Sequence, residues 1–382
     1  MKKVCIIFET GANRLPGHYT QFAFTGLPGV EIAALADCNP EPGNTYLLAG
    51  AGKLYSSWRE MLLKEKPDIA VLCSRLVDDH FEQIKFALEH NCHVLCEKPL
   101  AADLRQADEL AELSRRTGFK VQIAHLARFA PAFREMKRLI NTGAIGKVVN
   151  CIMRGKEDHR GGGEDMMVLG THLFDAASWI FGAPEEVMAE VRCQGRHIAS
   201  GEVLPTVEPV GPCGGDEIFA RFRFPGGVNG TFESSRLGVP DGEKRMGLTV
   251  WGTEGALTLR YTGTRDLRIC RTFPVPIEDD ADFTAVSLPE PPEIPGAEKI
   301  DIRRCGANPE NYAVRYFFEN NRRAAWDLLQ SIEKGTPLTA GVESAKDSLE
   351  MISGVYLSAL KGCRIKLPLE ERRHPLTLIG DF

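Results

Sequence analysis

Residues 1–37 read MKKVCIIFETGANRLPGHYTQFAFTGLPGVEIAALAD. An apolar run, Val4 to Phe8, breaks into a turn containing Gly, Asn and Pro. A helix-like segment then starts at Gly17-His18, and a second apolar run ends in Asp37. Dinucleotide-binding units begin this way, with a glycine turn that lets a pyrophosphate approach a helix start. The expected G-x-G-x-x-G is incomplete, because this turn holds only Gly11 and Gly17. Gly11-Ala12-Asn13 can still turn tightly, and Arg14 adds a charge beside them. A plain strand–turn–helix connection is the rival reading of the stretch taken alone. Asp37 lies at about the distance where an acid accepts the ribose hydroxyls of NAD and repels the extra phosphate of NADP. Many strand ends carry a surface Asp, so the two features count only together. Together they point to a nucleotide site, and to NAD rather than NADP.

The pattern continues outward from there. The short apolar runs VCIIF, EIAALAD, IAVLC, CHVLCEK and KVQIAH alternate with the amphipathic segments SSWREMLLKEK, DDHFEQIKFALEHN and DLRQADELAELSRRTG. Wholly apolar strands alternating with helices mean a parallel sheet covered on both faces. Residues 1–124 are therefore expected to form a Rossmann-type, doubly wound α/β domain. After His125 the pattern changes. Helices are predicted over Pro131–Asn141 and roughly Leu169–Phe181, with a strand at Lys147–Arg154 between them. A series of strand-like runs follows: EVMAEVRC, DEIFARFRF, GVNGTFESSR, GLTVWG, GALTLRY and DLRICRT, with FPGG and WGTEGA as hairpin turns. Residues 125–382 thus read as an α+β domain with an open, mostly antiparallel sheet. Its closing helices, Tyr312–Lys334 and Gly341–Lys361, are expected to pack back on the chain. The segments 198–215 and 274–310 show no periodicity, and the second exceeds ordinary loop length, as a lid or a mobile loop would.

Composition narrows the function. The chain of 382 residues is 43% apolar and 26% charged, as soluble two-domain proteins are. A net charge of −6 argues against a nucleic-acid surface, which needs a basic stripe. The sequence has no apolar run of the roughly 20 residues a membrane span requires, and Val4–Phe8 is too short for a signal peptide. A cytoplasmic protein is expected. The 11 cysteines are scattered singly, with no C-x-x-C. Cys92 and Cys96 flank His93, but Val94 and Leu95 make that stretch a buried strand, where Cys behaves as a small hydrophobe. No metal is expected, and most thiols should be reduced.

Two further stretches carry chemistry. Glu97-Lys98-Pro99 ends a buried strand, at the edge where doubly wound sheets bind ligands. A partly desolvated Lys98 can hydrogen-bond and polarise a substrate hydroxyl, although a solvated strand-end lysine fits the same letters. In GGGEDMMVLGTHLFDAASWIFG, His172 and Asp175 share one helical face. His172, beginning a helix after a flexible glycine loop, reads either as a general base or as a hydrogen-bonded helix histidine.

Taken together, LPGVEIAALAD, HVLCEKPLA, RFAPAFREMKRLINTGAIGKVV, GGG…GTHLFD and WGTEGAL resemble the glucose–fructose oxidoreductase, inositol dehydrogenase and MocA family of sugar and polyol oxidoreductases. The resemblance runs over nearly the whole chain. It implies NAD(P)-linked redox chemistry at a sugar or cyclitol carbinol, and a homodimer or homotetramer formed through the open sheet of the second domain. The catalytic residues it implies are Lys98 and His172, with Asp165 or Asp175 standing in for a family Asp where this chain has Val168. The cofactor residues would be Gly11, Ala12, Asn13, Arg14, Asp37, Ser74, Arg75, His80, Glu97 and Lys98. Here Arg75-Leu76-Val77-Asp78-Asp79-His80 replaces a common T-P-N-x-x-H. Lys98, Arg128, Arg154, His159, Thr171 and His172 would meet substrate. The first two arginines and His159, with Lys156 and Arg160, suit an acid sugar, and surface solvation explains them equally well.

The leading expectation is an NAD-dependent dehydrogenase of a sugar, cyclitol or sugar acid. Two rivals are an NAD-dependent glycosidase of the same fold, working by oxidation and elimination, and a non-catalytic nucleotide or sugar sensor. The altered phosphate turn and Val168 favour the sensor. Lys98 and His172 speak against it, because a sensor has no chemical need for both.

Overall fold

The computed structural model describes residues 1–10, 17–38, 49–240, 245–261, 267–272 and 283–378. The chain divides into two compact units. The first comprises Met1–Leu126, Glu208–Gly211 and Pro292–Lys346, and the second Ala127–Val207, Pro212–Pro291 and Asp347–Phe382.

In the first unit, six parallel strands form one sheet: β1 Lys2–Ile7, β2 Val30–Ala36, β3 Lys53–Tyr55, β4 Ile69–Leu72, β5 His93–Cys96 and β6 Val121–Ile123. Their spatial order is β3-β2-β1-β4-β5-β6, so the winding reverses between β1 and β4. Every residue of β4 is buried, and Val94–Cys96 of β5 are too, as a sheet covered on both faces requires. The helices are α1 Trp58–Glu65, α2 Val77–Glu89 and α3 Leu104–Thr117. Helix α3 shows its start and stop signals in sequence: Asp103 caps it by accepting from the Gln106 N–H at 3.0 Å, and Gly118 closes it at φ 77°.

Two details differ from the sequence reading. Strand β3 is three residues long with Leu54 41% exposed, too short and too wet at the sheet edge to leave an apolar run. The other difference is the helix expected from Gly17-His18. Among the described residues, only a single 3-10 turn, Thr20–Phe22, lies between β1 and β2. His18 and Tyr19 have φ of 58° and 61°, and left-handed residues cannot propagate a right-handed helix. The segment is instead anchored by Phe22, Ala23, Phe24 and Leu27, all buried.

The second unit is built on a mostly antiparallel sheet of ten strands. These are β7 Val148–Arg154, β8 Glu186–Cys193, β9 Arg196–His197, β10 Glu217–Arg223, β11 Asn229–Ser235, β12 Gly247–Gly252, β13 Ala256–Arg260, β14 Arg268–Cys270, β15 Thr284–Ala285 and β16 Ile365–Lys366. Among the described residues β7 and β11 pair in parallel and the other neighbours antiparallel. Strand β10 alternates strictly, with Ile218, Ala220 and Phe222 buried and Glu217, Phe219 and Arg221 exposed. That is the period-2 signature of a sheet packed on one face.

Helix α4 spans Pro131–Asn141, as the sequence predicts. The next helical run starts at Gly163, widens to a π turn at Met166–Gly170 and continues as α5, Thr171–Phe181. Phe174 of α5 sits edge-on to Phe222 and Phe232, with ring centroids at 5.4 and 4.8 Å. Helices α6 Tyr312–Lys334 and α7 Val342–Lys361 close the chain. No helix among the described residues is long and apolar enough to cross a membrane.

Phe174→Ala should destabilise the second unit by about 3–5 kcal/mol through cavity formation, read as a lowered urea midpoint with an unchanged m-value. A loss below about 1 kcal/mol would mean the aromatic cluster is not the core of that unit.

Candidate functional site

In the first unit the polar groups gather at the carboxyl ends of the strands. Asp37, just past β2 and 4% exposed, accepts from the Thr10 N–H at 2.9 Å and from the Thr10 hydroxyl at 2.8 Å. The tips of β1 and β2 are thereby tied together. Glu9, on the same tip, is buried and left-handed at φ 52°, a feature with no signature in the sequence.

Past β4, the Ser74 hydroxyl donates to Asp79 and accepts the Leu76 N–H, both at 3.0 Å. His80 is fully buried and spans two strand ends, with Nδ1 2.6 Å from the Pro99 carbonyl oxygen and Nε2 2.8 Å from that of Ser74. Its ring thus braces the backbones that carry Ser74 and Lys98.

Past β5 lie Glu97 and Lys98, each 1% exposed. A solvated strand-end lysine is therefore not what the structure contains. Glu97 receives the Thr20 hydroxyl, the His18 Nδ1 at 3.3 Å and the Lys98 N–H at 3.3 Å. Burial alone would push the Glu97 carboxyl up. The charges of His18 and Lys98 and the hydrogen bonds outweigh it and hold the group below the usual carboxylate range. His18 keeps its left-handed geometry because Asn321 donates to its carbonyl at 2.7 Å and Phe317 stacks on its ring at 4.5 Å. Sequence reasoning missed this support, since Asn321 and Phe317 lie some three hundred residues away in α6. Gly11, Ala12, Asn13 and Arg14, the expected phosphate turn, lie outside the described residues.

In the second unit, the three glycines before α5 are tightly packed rather than a flexible loop. A Cβ on Gly161 would lie 2.1 Å from the Ser235 carbonyl oxygen, and one on Gly163 would lie 2.3 Å from that of Gly214. The helical run consequently begins at Gly163, and His172 stands well inside it rather than at its start. His172 is 4% exposed, and its ring lies 4.9 Å from that of Tyr261. Thr171 donates to Ser348 at 3.5 Å.

The two acids flanking His172 have charted partners. Asp175, fully buried, accepts from Arg128 Nε at 2.8 Å. Asp165 accepts from the Ser234 hydroxyl at 2.6 Å and the Glu157 N–H at 3.1 Å, and its other oxygen has no hydrogen-bond partner among the described residues. Burial pushes the Asp165 carboxyl above its ordinary value, against those hydrogen bonds. Arg154 pairs with Glu233 and, at 3.4 Å, with Glu157. His159 is exposed, 3.9 Å from Asp158.

No disulfide joins the 11 cysteines among the described residues, and nine of them are buried. Among the described residues, no group of three or more His, Cys, Asp or Glu side chains is placed to hold a metal ion.

The residues present in the first unit fit a dinucleotide. The winding reverses between β1 and β4, a buried acid ends β2, and Gly17 has no side chain to fill the space beside Arg75. Residues 10–125 match the model of the oxidoreductase family with an NAD-binding Rossmann fold, and residues 133–258 match the GFO/IDH/MocA C-terminal domain. The chain is 28% identical over 172 residues to D-glucoside 3-dehydrogenase of Escherichia coli, covering 40% of this chain and only 48% of that enzyme. It is 28% identical over 267 residues to scyllo-inositol 2-dehydrogenase (NAD(+)) of Bacillus subtilis, covering 66% of this chain and 73% of that one. Among solved structures it resembles levoglucosan dehydrogenase in complex with NADH and levoglucosan. The TM-score is 0.74 at 19% identity, over 96% of this chain and 100% of that one.

An acid raised in the folded state stabilises the fold below its unfolded value and loses that contribution as pH rises through the folded one. The wild-type advantage over Asp165→Asn in urea midpoint should therefore shrink as pH rises above roughly 4. A difference that stays level across that range would show that Asp165 is not raised.

Proposed function

The chain belongs to the Gfo/Idh/MocA family of NAD-binding oxidoreductases, and we propose that it transfers hydride between NAD and a carbinol carbon of a sugar, cyclitol or sugar acid. The observation that carries this reading is the burial of Lys98 beside the Glu97 carboxylate, at the carboxyl end of a central parallel strand. A buried, oriented amino group at the ligand-binding edge of the sheet is what polarising a reacting oxygen requires.

NAD, when bound, supplies the hydride acceptor. The chain's own groups do the rest. Asp37 accepts ribose hydroxyls, which favours NAD because a 2′-phosphate would meet a second negative charge there. Lys98 Nζ donates a hydrogen bond to the reacting oxygen and stabilises the charge that develops on it. An imidazole nitrogen of His172 takes the hydroxyl proton. Arg128 holds Asp175 within the second unit, and Asp165 holds the glycine turn against β11 through Ser234. These two acids serve as positioning residues for α5, the helix carrying His172. His80 does the same for Lys98 through Pro99. Arg154, His159 and Thr171 are assigned to the substrate side.

The open face of the ten-stranded sheet is assigned to self-association. Met188 and Phe219 stand about half exposed on it, at 53% and 50%, a large apolar exposure for strands that otherwise alternate cleanly.

Three measurements test these assignments. A screen of polyols, aldoses and sugar acids should find a substrate that yields NADH, with NADP a poorer acceptor, and a strict NADP preference would remove Asp37 from its role. On that substrate Lys98→Met and His172→Ala should each lower kcat/KM by roughly 10²–10⁴-fold, and full turnover by either variant would overturn the assignment of its residue. In light scattering Phe219→Asp should give a smaller particle than wild type. Equal masses would clear that face of any role in assembly.

A further inference from the structure

A cavity of about 290 Å³ opens in the first unit, between the chain that precedes α6 and the first turns of that helix. One wall is the 3-10 turn Ile302–Cys305, capped by Asp301, whose carboxylate accepts the Arg303 N–H at 3.1 Å. The other wall is helical. Arg315, Phe318 and Glu319 stand three and four positions apart, so they share one face of α6. Both walls are anchored. The Glu298 N–H donates to the Gly26 carbonyl at 2.8 Å, and Arg322 of α6 donates to the Glu298 carbonyl at 3.0 Å. Ile300 packs on Gly26, where a Cβ would come within 2.7 Å of Cδ1. The walls are therefore set before a ligand arrives, which lowers the cost of binding one.

The lining divides by chemistry. Ile302 and Phe318 are its apolar part, and Phe318 is buried. Two cations and two acids complete it, and they are not equivalent. Asp301 is engaged by its cap, and Glu319 lies 3.6 Å from Arg323. Arg303 and Arg315 are exposed, and neither pairs with an acid among the described residues. Arg315 sits 5.9 Å from the Tyr312 ring, a contact that leaves its N–H groups open. Guanidinium groups carry donors and no acceptor, so the position they leave open suits an anion. The volume is at the small end of ligand sites, room for roughly ten water molecules.

We propose that this cavity binds a small organic anion, a carboxylate or phosphate ester carried on a short apolar body. The oxyanion meets the Arg303 and Arg315 guanidinium groups, and the apolar body lies on Ile302 and Phe318. Ion attraction and apolar burial act on different parts of the ligand, so a bare anion or a neutral apolar molecule satisfies only half of the site. None of these residues lies at the carboxyl ends of the strands, so NAD binding is not required for it.

Calorimetric titration of the whole chain with phenyl phosphate, benzoate, benzyl alcohol and inorganic phosphate tests it. Phenyl phosphate, benzoate or both should bind with a Kd below about 1 mM, and benzyl alcohol and inorganic phosphate at least about tenfold more weakly. The tighter of the two organic anions assigns the oxyanion as phosphate ester or carboxylate. Arg303→Gln and Arg315→Gln should each weaken that anion about tenfold, as loss of a charged hydrogen bond does. Both arginines are exposed, so the two variants should keep the wild-type urea midpoint. A loss of affinity that comes with a lowered midpoint would mark a structural effect and count against the site. Binding that one variant leaves unchanged removes that arginine, and binding that both leave unchanged overturns the proposal. So does the failure of both organic anions to bind, and so does inorganic phosphate binding as tightly as they do, which would mark an adventitious ion only.

Discussion

Keeping a carboxylate dry at the end of an apolar strand is the constraint on which much of the first unit depends. Glu97 is 1% exposed, and burial alone would push its carboxyl up. The Thr20 hydroxyl, the His18 ring and the Lys98 N–H all converge on the Glu97 carboxylate. His18 and Tyr19 adopt left-handed backbone as the imidazole reaches Glu97, and among the described residues a single 3-10 turn, Thr20–Phe22, follows them before β2. Helix α6 pays the strain through Asn321 and Phe317.

The second unit meets a comparable demand with glycine instead of charge. Gly161, Gly162 and Gly163 bring backbone against Ser235, Gly215 and Gly214 at distances no side chain would allow. Ser234 then links the Gly162 N–H to Asp165. A buried, protonation-prone acid at this joint is consistent with a hub that fixes the start of the helix carrying His172. The wide π turn between Asp165 and Thr171 shifts the register of that helix by a residue, an insertion often found near functional positions.

Much of this architecture was legible from periodicity. Five of the six parallel strands announce themselves as apolar runs, and the hairpins at Phe224–Gly227 and Thr253–Gly255 follow from their turn residues. Helices Pro131–Asn141 and Tyr312–Lys334 keep the bounds that their stripes and caps indicate. What escaped were elements whose formation depends on distant partners. Strand β3 exists because β2 offers it an edge, and the 3-10 turn at Thr20 exists because Glu97 claims its hydroxyl.

The sequence by itself determined most of the order of strands and helices, the placing of Asp37 just past the second strand, and the placing of Lys98 at a strand end. It also determined His172 and Asp175 as neighbours on one helix. These are local properties, set by side-chain period and by residues a few positions apart. Only the tertiary structure decided that Lys98 is buried, that Asp37 is bound to Thr10, and that Asp175 belongs to Arg128. It alone brought Glu208 to Arg75 across 133 positions. Burial and ion pairing depend on what the folded chain carries to a point in space, and no window of neighbouring residues contains that information.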